Sequence, residues 1–287
     1  MTTKKTKSAR QNFFIRPDRK SSHEVMLLSD LDDLHLREET HAFSSLLISE
    51  DNPWGRRAVF KYELPSISEV FGYLLARMLG VPIAHFQGVW FGKEVKVSGH
   101  YRVPANHLCI LIEFVPNLRP ISLEDLAGRQ KALTAKLLTF YFFDRFEWPE
   151  IFESGTSLYV MDLERIGPVM AIDEFQGSCK KSIRQALLER EEQYLRSSQI
   201  AISEILENAE SLHVQKELHK EVRRMSQIPG RMLWRGLSIK GHPYSALLSA
   251  FFLSVVSERQ AIWSSQMAIK SWPPVDWESV IAWRHRG

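Results

Sequence analysis

The first 115 residues contain short apolar runs separated by polar and turn-forming segments, a pattern that predicts strands. Leu108–Val115 is an apolar run interrupted only by Glu113, which is typical of a buried strand. Val89–Val103 has the pattern of hairpin strands. The remaining predicted strands of this region include Val25–Leu28, Leu46–Ile48 and Arg57–Tyr62. The chain therefore opens with a β-rich region.

One helix is predicted inside this β-rich region. After Pro65 and Ser66, apolar residues recur at spacings of three and four from Val70 to Leu79, as on one face of a helix. Gly80 follows directly, where a left-handed residue commonly ends a helix. The pattern predicts a helix that ends at Gly80.

Beyond residue 115 the pattern becomes mainly helical. Ser122–Phe143 has helical periodicity, and Asp144–Glu153 is predicted to be irregular. Two short strands, Ser157–Met161 and Val169–Ile172, precede helices over Ser182–Ile281. Breaks in these helices are predicted near Pro229-Gly230, Gly241–Pro243 and Pro273-Pro274. We therefore expect an α+β fold with a flexible basic tail over 1–20, a β-rich region over 21–115 and a mainly helical region over 116–287.

Composition narrows the class of protein. The chain has 287 residues, 44% of them hydrophobic, which is enough for a full core. A formal net charge of +3 gives no large basic excess for nucleic-acid binding. Cys109 and Cys179 lie too far apart for a zinc-ligand pair and predict a reducing compartment. With no readable secretory signal, and with Ala246–Val256 shorter than the roughly 20 residues of a bilayer span, we expect a cytoplasmic protein without a membrane span.

Lys61 and Glu69 are the first candidates for chemistry. Lys61 ends the apolar strand Ala58–Lys61, and Glu69 opens the following helix eight positions later. A strand lysine and a helix glutamate at this spacing can form an ion pair. The alternative for Glu69 is a capping box, because Ser66 and Glu69 have the S-x-x-E spacing that satisfies a helix start. Lys61 alone also fits an exposed strand lysine.

Three aspartates are candidates for a metal and proton-transfer site. Asp144 follows the aromatic run Phe140–Phe143, and Asp162 ends an apolar strand 18 positions later, so two carboxylates could converge on one metal. Asp173 also ends an apolar strand and competes with Asp162 as the metal ligand. Their alternatives are a solvated charge pair for Asp144 and a turn aspartate for Asp162.

Two stretches, Ala58–Ala84 and Asp144–Gly167, resemble the atypical kinases that include HipA-like kinases, type II phosphatidylinositol 4-kinases and the Golgi casein kinase family of secretory kinases. The resemblance implies a two-lobed protein kinase-like fold and an ATP-dependent phosphotransferase that uses Mg²⁺ or Mn²⁺. By this resemblance Arg165, three residues after Asp162, favours Asp162 over Asp173 as the metal ligand. The implied roles are phosphate binding by Lys61, support of Lys61 or the metal by Glu69, catalysis by Asp144, and adenine binding beside Glu113 and Val115.

The sequence also departs from these kinases. Pro149 stands where HipA-like and lipid kinases place a metal-binding asparagine, and no glycine-rich phosphate loop precedes Lys61. His41–Leu46, which contains two serines, is the remaining candidate for that loop. The alternative function is therefore a catalytically degenerate pseudokinase that acts as a regulatory or scaffold protein. A third hypothesis is nucleotidyl or other group transfer on the same scaffold.

The acceptor predicted for the phosphoryl group is a hydroxyl of a protein, sugar or lipid. Trp263, Trp272, Trp277 and Trp283 predict either a protein-binding surface or an aromatic core of the helical region. The charge-rich segment Lys216–Arg224 is predicted to be a solvated helix face.

Overall fold

The computed structural model describes residues 23–41, 44–49, 56–62, 66–98, 101–142, 150–163, 202–267 and Asp276. It is a mixed α+β structure with a β-rich N-terminal region and a helical C-terminal part. The α+β class predicted from the sequence is confirmed at this level. The predicted tail over 1–20 and the predicted strand over Val169–Ile172 lie outside the described residues.

A six-stranded sheet forms the centre of the N-terminal region. Its strands are β2 (Met26–Leu28), β3 (Leu36–His41), β4 (Ser44–Ser49), β5 (Ala58–Lys61), β6 (Phe86–Phe91) and β9 (Leu108–Glu113). They lie in the order β2-β6-β9-β5-β4-β3, and neighbouring strands are antiparallel except for β2 and β6, which are parallel. A short 3-10 helix, Leu31–Leu34, connects β2 to β3.

Strand β9 is apolar from Leu108 to Ile112 because both faces of the sheet are covered there. Leu108, Ile110 and Ile112 belong to the larger apolar cluster, which contains α1 (Ser66–Leu79), whereas Cys109 and Leu111 face a smaller cluster. The smaller cluster includes residues of the 3-10 helix and of the hairpin β7 (Val95–Ser98) and β8 (Tyr101–Val103). A strand buried on both faces reads as a continuous apolar run rather than an alternating one.

Helix α1 is buried between the sheet and helices from the end of the chain. Its inner residues Phe71, Tyr73 and Leu74 are almost fully buried, and Phe71 stacks on Phe252 with ring centroids 4.5 Å apart. The predicted cap is confirmed, because Gly80 has a φ of 71°. The Gly80 amide donates to Arg77 O at 3.1 Å, and the Val81 amide donates to Ala76 O at 2.8 Å. These two bonds form a Schellman motif.

A small sheet follows the central one, and it corrects one prediction. Glu150–Ser154 is a strand, β11, although Asp144–Glu153 was predicted to be irregular. It pairs with β12 (Ser157–Met161) around Gly155, which has a φ of 60°, and with β10 (Arg119–Pro120). The prediction was wrong because the polar sequence of β11 has no strand pattern of its own. Its hydrogen bonds to β10 on one side and β12 on the other make it a strand.

The helical regions agree with the sequence in outline and differ in their breaks. Ser122–Phe143, predicted as one helical stretch, contains α2 (Leu123–Arg129) and α3 (Lys131–Tyr141), which are separated at Gln130. The later helices are α4 (helical through 202–211), α5 (Gln215–Ser226), α6 (Gly230–Leu237) and α7 (Ser245–Met267). The predicted breaks at Pro229-Gly230 and Gly241–Pro243 are confirmed, and Pro273-Pro274 lies outside the described residues.

Three predictions concern these later helices. The apolar run Ala246–Val256 is part of the buried helix α7, and none of the described helices is both long and apolar enough to cross a membrane. The segment Lys216–Arg224 is not fully solvated, because Glu221 is buried and pairs with Arg224. Trp263 packs against Phe142 in the core, in agreement with the aromatic-core alternative. Trp272, Trp277 and Trp283 lie outside the described residues.

A short parallel pair joins the first described strand to the C-terminal helices. Strand β1 (His23–Glu24) pairs with β13 (Ile239–Lys240). His23 is buried beside the pair and accepts a hydrogen bond from the Gly88 amide at 3.2 Å. Burial, with a smaller effect from the Arg77 charge, lowers the pKa of His23 to about 4, so this side chain is neutral near pH 7.

Candidate functional site

Lys61 lies on the face of the sheet that α1 covers. Within β5, Ala58 and Phe60 belong to the cluster on the opposite face, so the alternation of a strand directs Lys61 toward α1. Its partner in the sheet is Ile110, which contacts the α1 cluster. The strand register therefore places Lys61 beside the first turn of α1, where Glu69 lies.

Two carboxylates hold the Lys61 ammonium group. Lys61 Nζ lies 2.9 Å from Glu69 Oε1 and 2.8 Å from Asp162 Oδ1. The Glu69 side chain is 2% exposed, whereas the Asp162 side chain is 56% exposed. One carboxylate is thus an internal anchor, and the other faces solvent at the mouth of the site.

The charge on Lys61 is stabilised by this arrangement. Burial acts to lower the pKa of Lys61, because it disfavours the charged form. The charges of Glu69 and Asp162, together with their hydrogen bonds, outweigh burial and raise that pKa above its ordinary value. Lys61 is therefore a fixed cation and not a candidate general base.

Asp162 is held in an uncommon backbone conformation. Its φ is 53°, in the left-handed region, which few residues other than glycine adopt but which aspartate tolerates. On one side, the Val160 amide donates to Pro82 O at 2.8 Å, and on the other Leu163 is fully buried. These two anchors fix the turn that presents the Asp162 carboxylate to Lys61. Such outliers cluster at functional sites.

The capping-box alternative for Glu69 is not decided by this geometry. The Glu69 carboxylate accepts a hydrogen bond from Lys61, which is the pairing expected from their spacing. The side chain of Ser66 lies outside the described ones, so a second role of Glu69 at the helix start stays a prediction.

The predicted adenine-binding segment runs along the end of β9. The Glu113 amide donates to His85 O and the Phe114 amide donates to Arg57 O, each at 2.8 Å. The Glu113 side chain pairs with Arg56. Among the described residues, no main-chain acceptor receives the Val115 amide. In this segment the Glu113 carboxylate is already engaged, and a contact of the Val115 amide with adenine stays a prediction.

Tyr73 is a residue of the site that the sequence did not reveal. It lies one helical turn after Glu69, and its hydroxyl is fully buried without a hydrogen-bond partner in the described part of the chain. Burial, followed by the charges of Glu69 and Asp162, raises the pKa of Tyr73 well above its ordinary value. The i, i+4 spacing from Glu69 is the signal that would have pointed to it.

Several predicted site residues lie outside the described part of the structure. They are Asp144, Asp173, Pro149, and Ala42 and Phe43 of the predicted phosphate loop His41–Leu46. Within the described residues, no group of three or more His, Cys, Asp and Glu side chains could hold a metal ion. The structure thus brings together Lys61, Glu69 and Asp162, and the relation of Asp144 and Asp173 to them stays a prediction.

Comparison with known proteins gives no relative. A scan against protein-family models, a search of curated proteins and a search of solved structures each found no match for this chain.

Proposed function

We propose that this chain is an ATP-dependent phosphotransferase of the atypical kinase type, which transfers the terminal phosphoryl group of ATP to a hydroxyl acceptor. The observation that carries the proposal is the contact of Lys61 Nζ with Glu69 at 2.9 Å and with Asp162 at 2.8 Å. In protein kinases a strand lysine pairs with a glutamate of the next helix, and a separate aspartate binds the metal.

The order of elements supports the same proposal. Protein kinases carry the phosphate-binding lysine on the third strand of the sheet and the glutamate on the helix that follows. Here β5 is the third strand of the antiparallel run β3-β4-β5, and α1 comes next. A two-lobed kinase-like fold, with the nucleotide between the sheet and the helical region, is part of the proposal.

The residues fit ATP with a divalent cation. Mg²⁺ is usually held by one or two carboxylates together with the substrate phosphates rather than by a cage of protein ligands. Asp162 meets this need, because its side chain is more than half exposed and one of its oxygens binds Lys61. Lys61 would contact the phosphates, Glu69 would keep Lys61 in place, and the bound Mg²⁺ or Mn²⁺ would neutralise charge on the phosphates.

The adenine ring and the acceptor hydroxyl would be bound by other residues. The Val115 amide would donate to the adenine ring, beside Glu113. Asp144 would orient the acceptor hydroxyl and take its proton as the hydroxyl oxygen bonds to the terminal phosphorus and the bond from that phosphorus to the ADP oxygen breaks. Positioning and charge neutralisation supply most of the catalysis in such reactions.

A test of this proposal measures thermal stability with ATP and either Mg²⁺ or Mn²⁺. A ligand that binds only the folded state raises the melting temperature by mass action. We expect stabilisation of the wild type at millimolar Mg·ATP or Mn·ATP, and loss of the metal-dependent part in Asp162→Asn. Asp173→Asn is the matched variant. If Asp162 is the metal ligand, Asp173→Asn should keep the metal-dependent part of the stabilisation. Absence of stabilisation in the wild type would overturn the proposal.

The second candidate is a pseudokinase, favoured by Pro149 at the position where HipA-like and lipid kinases place a metal-binding asparagine. It predicts nucleotide binding without transfer. Release of the labelled terminal phosphate, or its appearance on the protein or on an added acceptor, decides between the two. Mass spectrometry of the product separates phosphoryl from nucleotidyl transfer. Stabilisation by Mn·ATP with no turnover supports the pseudokinase.

A further inference from the structure

A cavity with a charged lining lies at the far end of α1 from Lys61. It has a volume of about 720 Å³ and opens between the end of α1, the start of α3 and the helix α5. Its charged lining consists of Lys131, Lys136, Arg224 and Glu221. We call it the α1–α3 cleft.

Arg224 is fixed on one wall of the cleft. Its guanidinium donates to both carboxylate oxygens of Glu221, through Nε at 2.8 Å and through Nη2, and Nη2 also donates to Leu79 O at 2.8 Å. Glu221 is largely buried, and Arg224 engages both of its oxygens. The one carboxylate among the lining side chains therefore does not offset the other cations.

Two lysines add positive charge that no carboxylate of the described part of the chain balances. Lys136 Nζ donates to Gly80 O at 3.1 Å, and Lys131 Nζ lies 3.4 Å from His213 O. Neither lysine forms an ion pair with a carboxylate of the described residues. An ammonium group has three N–H donors, so each lysine keeps donors for another acceptor.

The start of α3 adds main-chain donors to the same cleft. α3 has 11 residues, and Gln130, which precedes it, makes no side-chain capping bond. Ala132 and Leu133, in its first turn, line the cleft. Amide groups of a first turn lack partners inside the helix, and the helix dipole favours an anion there.

The bonds to α1 do not account for all of this charge. Arg224 and Lys136 bind carbonyls at the end of α1, and cations there are favourable for the helix. Binding these carbonyls uses one N–H donor of Lys136 and no donor of Lys131. It also leaves the open volume and the first turn of α3 unexplained.

We propose that the α1–α3 cleft binds a small molecule that carries a phosphomonoester group on a mainly apolar body. A phosphomonoester has a charge of about −1.5 to −2 near pH 7 and three acceptor oxygens, which suit two lysines, an arginine and a helix start. Met78 and Leu133, which line the cleft and are partly exposed, supply an apolar surface for the rest of the ligand. This site is separate from the one that holds Lys61 and does not depend on the proposed phosphotransfer.

Phenyl phosphate is a suitable probe, with phenol as the uncharged control. It is titrated into the ¹⁵N-labelled protein at constant ionic strength, and amide shifts report where it binds. We expect a dissociation constant of about 1 mM, reasonable for a ligand of this size. The largest shifts should fall on residues 131–133. Shifts centred on residues 113–115 instead, or none, would overturn the proposal.

Variants locate the binding energy. Lys131→Gln with Lys136→Gln should weaken binding about tenfold or more, because two charge-assisted hydrogen bonds are lost. Ala132→Glu is a second test of the same site. Ala132 is exposed and a glutamate suits a first helical turn, so the variant should fold. Its negative charge should repel the phosphate and weaken binding about as much as the double lysine variant does. Lys216→Gln, an exposed lysine on α5, is the matched control and should bind as the wild type does. Unchanged affinity in Ala132→Glu would also overturn the proposal.

Discussion

The two ends of α1 carry charge in opposite ways. At its start, one cation, Lys61, lies between the carboxylates of Glu69 and Asp162. At its end, Arg224 and Lys136 bind the carbonyls of Leu79 and Gly80, and positive charge is left over. The start therefore places one cation between two carboxylates. The end, within the described residues, keeps N–H donors that can bind an external anion.

One buried helix connects the two charged ends. Glu69 and Leu79 are separated by ten residues, or about 15 Å of helix at 1.5 Å per residue. The helix between them is buried on nearly every side, so the position of one end constrains the other. A change at either end can then be measured against the same scaffold.

The largest expected effect is at the start of α1. Lys61→Met leaves the buried Glu69 carboxylate without its cation, which should lower the free energy of unfolding by about 3 kcal/mol at pH 7. Adding Glu69→Gln removes the buried charge and should restore more than half of the loss. Urea denaturation measures both, and Lys96→Met, on an exposed strand position, should change stability by less than about 0.5 kcal/mol.

The same variant has a pH dependence of known sign. Without Lys61, burial should raise the pKa of Glu69 above its value in the unfolded chain. The folded state then binds the proton more tightly, so stability of Lys61→Met relative to the wild type should improve as the pH falls from 8 toward 5.5. A deficit that stays constant over this range would contradict the assignment of Glu69 as a buried, charged partner.

A smaller loss is expected at the end of α1. Arg224→Met removes the partner of Glu221 and one bond to the last turn, and should cost about 2 kcal/mol, less than a fully buried pair because Arg224 is partly exposed. Arg223→Met, the neighbouring and exposed arginine, is the control for helix propensity. Equal urea midpoints for the two variants would mean that the Arg224 bonds carry no stability.

The smallest effect separates backbone geometry from charge. Gly80→Ala places a Cβ on a residue with a φ of 71° and should cost about 1 kcal/mol. Gly128→Ala, in α2 with open space around the new Cβ, should instead stabilise the protein by roughly 0.5 kcal/mol through helix propensity. Thermal melts of the two variants should therefore shift in opposite directions. Shifts of the same sign would contradict the Schellman geometry.

Local patterns were sufficient to predict some parts of the structure. The spacing of apolar residues gave α1, Gly80 ended it as expected, and the distance in sequence between Lys61 and Glu69 correctly indicated their contact. β11 was missed because its polar sequence becomes a strand only between β10 and β12. The role of Arg224 was also missed, since its acceptor Leu79 lies 145 residues away in the sequence. Contacts of that range leave no periodic signal.

The pairing of β1 with β13 has a consequence for the order of folding. His23 faces Ile239 across this pair, so the earliest described strand finds its partner only after more than 200 further residues have been synthesised. A growing chain can form the hairpin β3-β4 long before then. During synthesis, His23 and Glu24 therefore lack their partners in β13 until most of the chain has been made, so this pairing is formed late in folding.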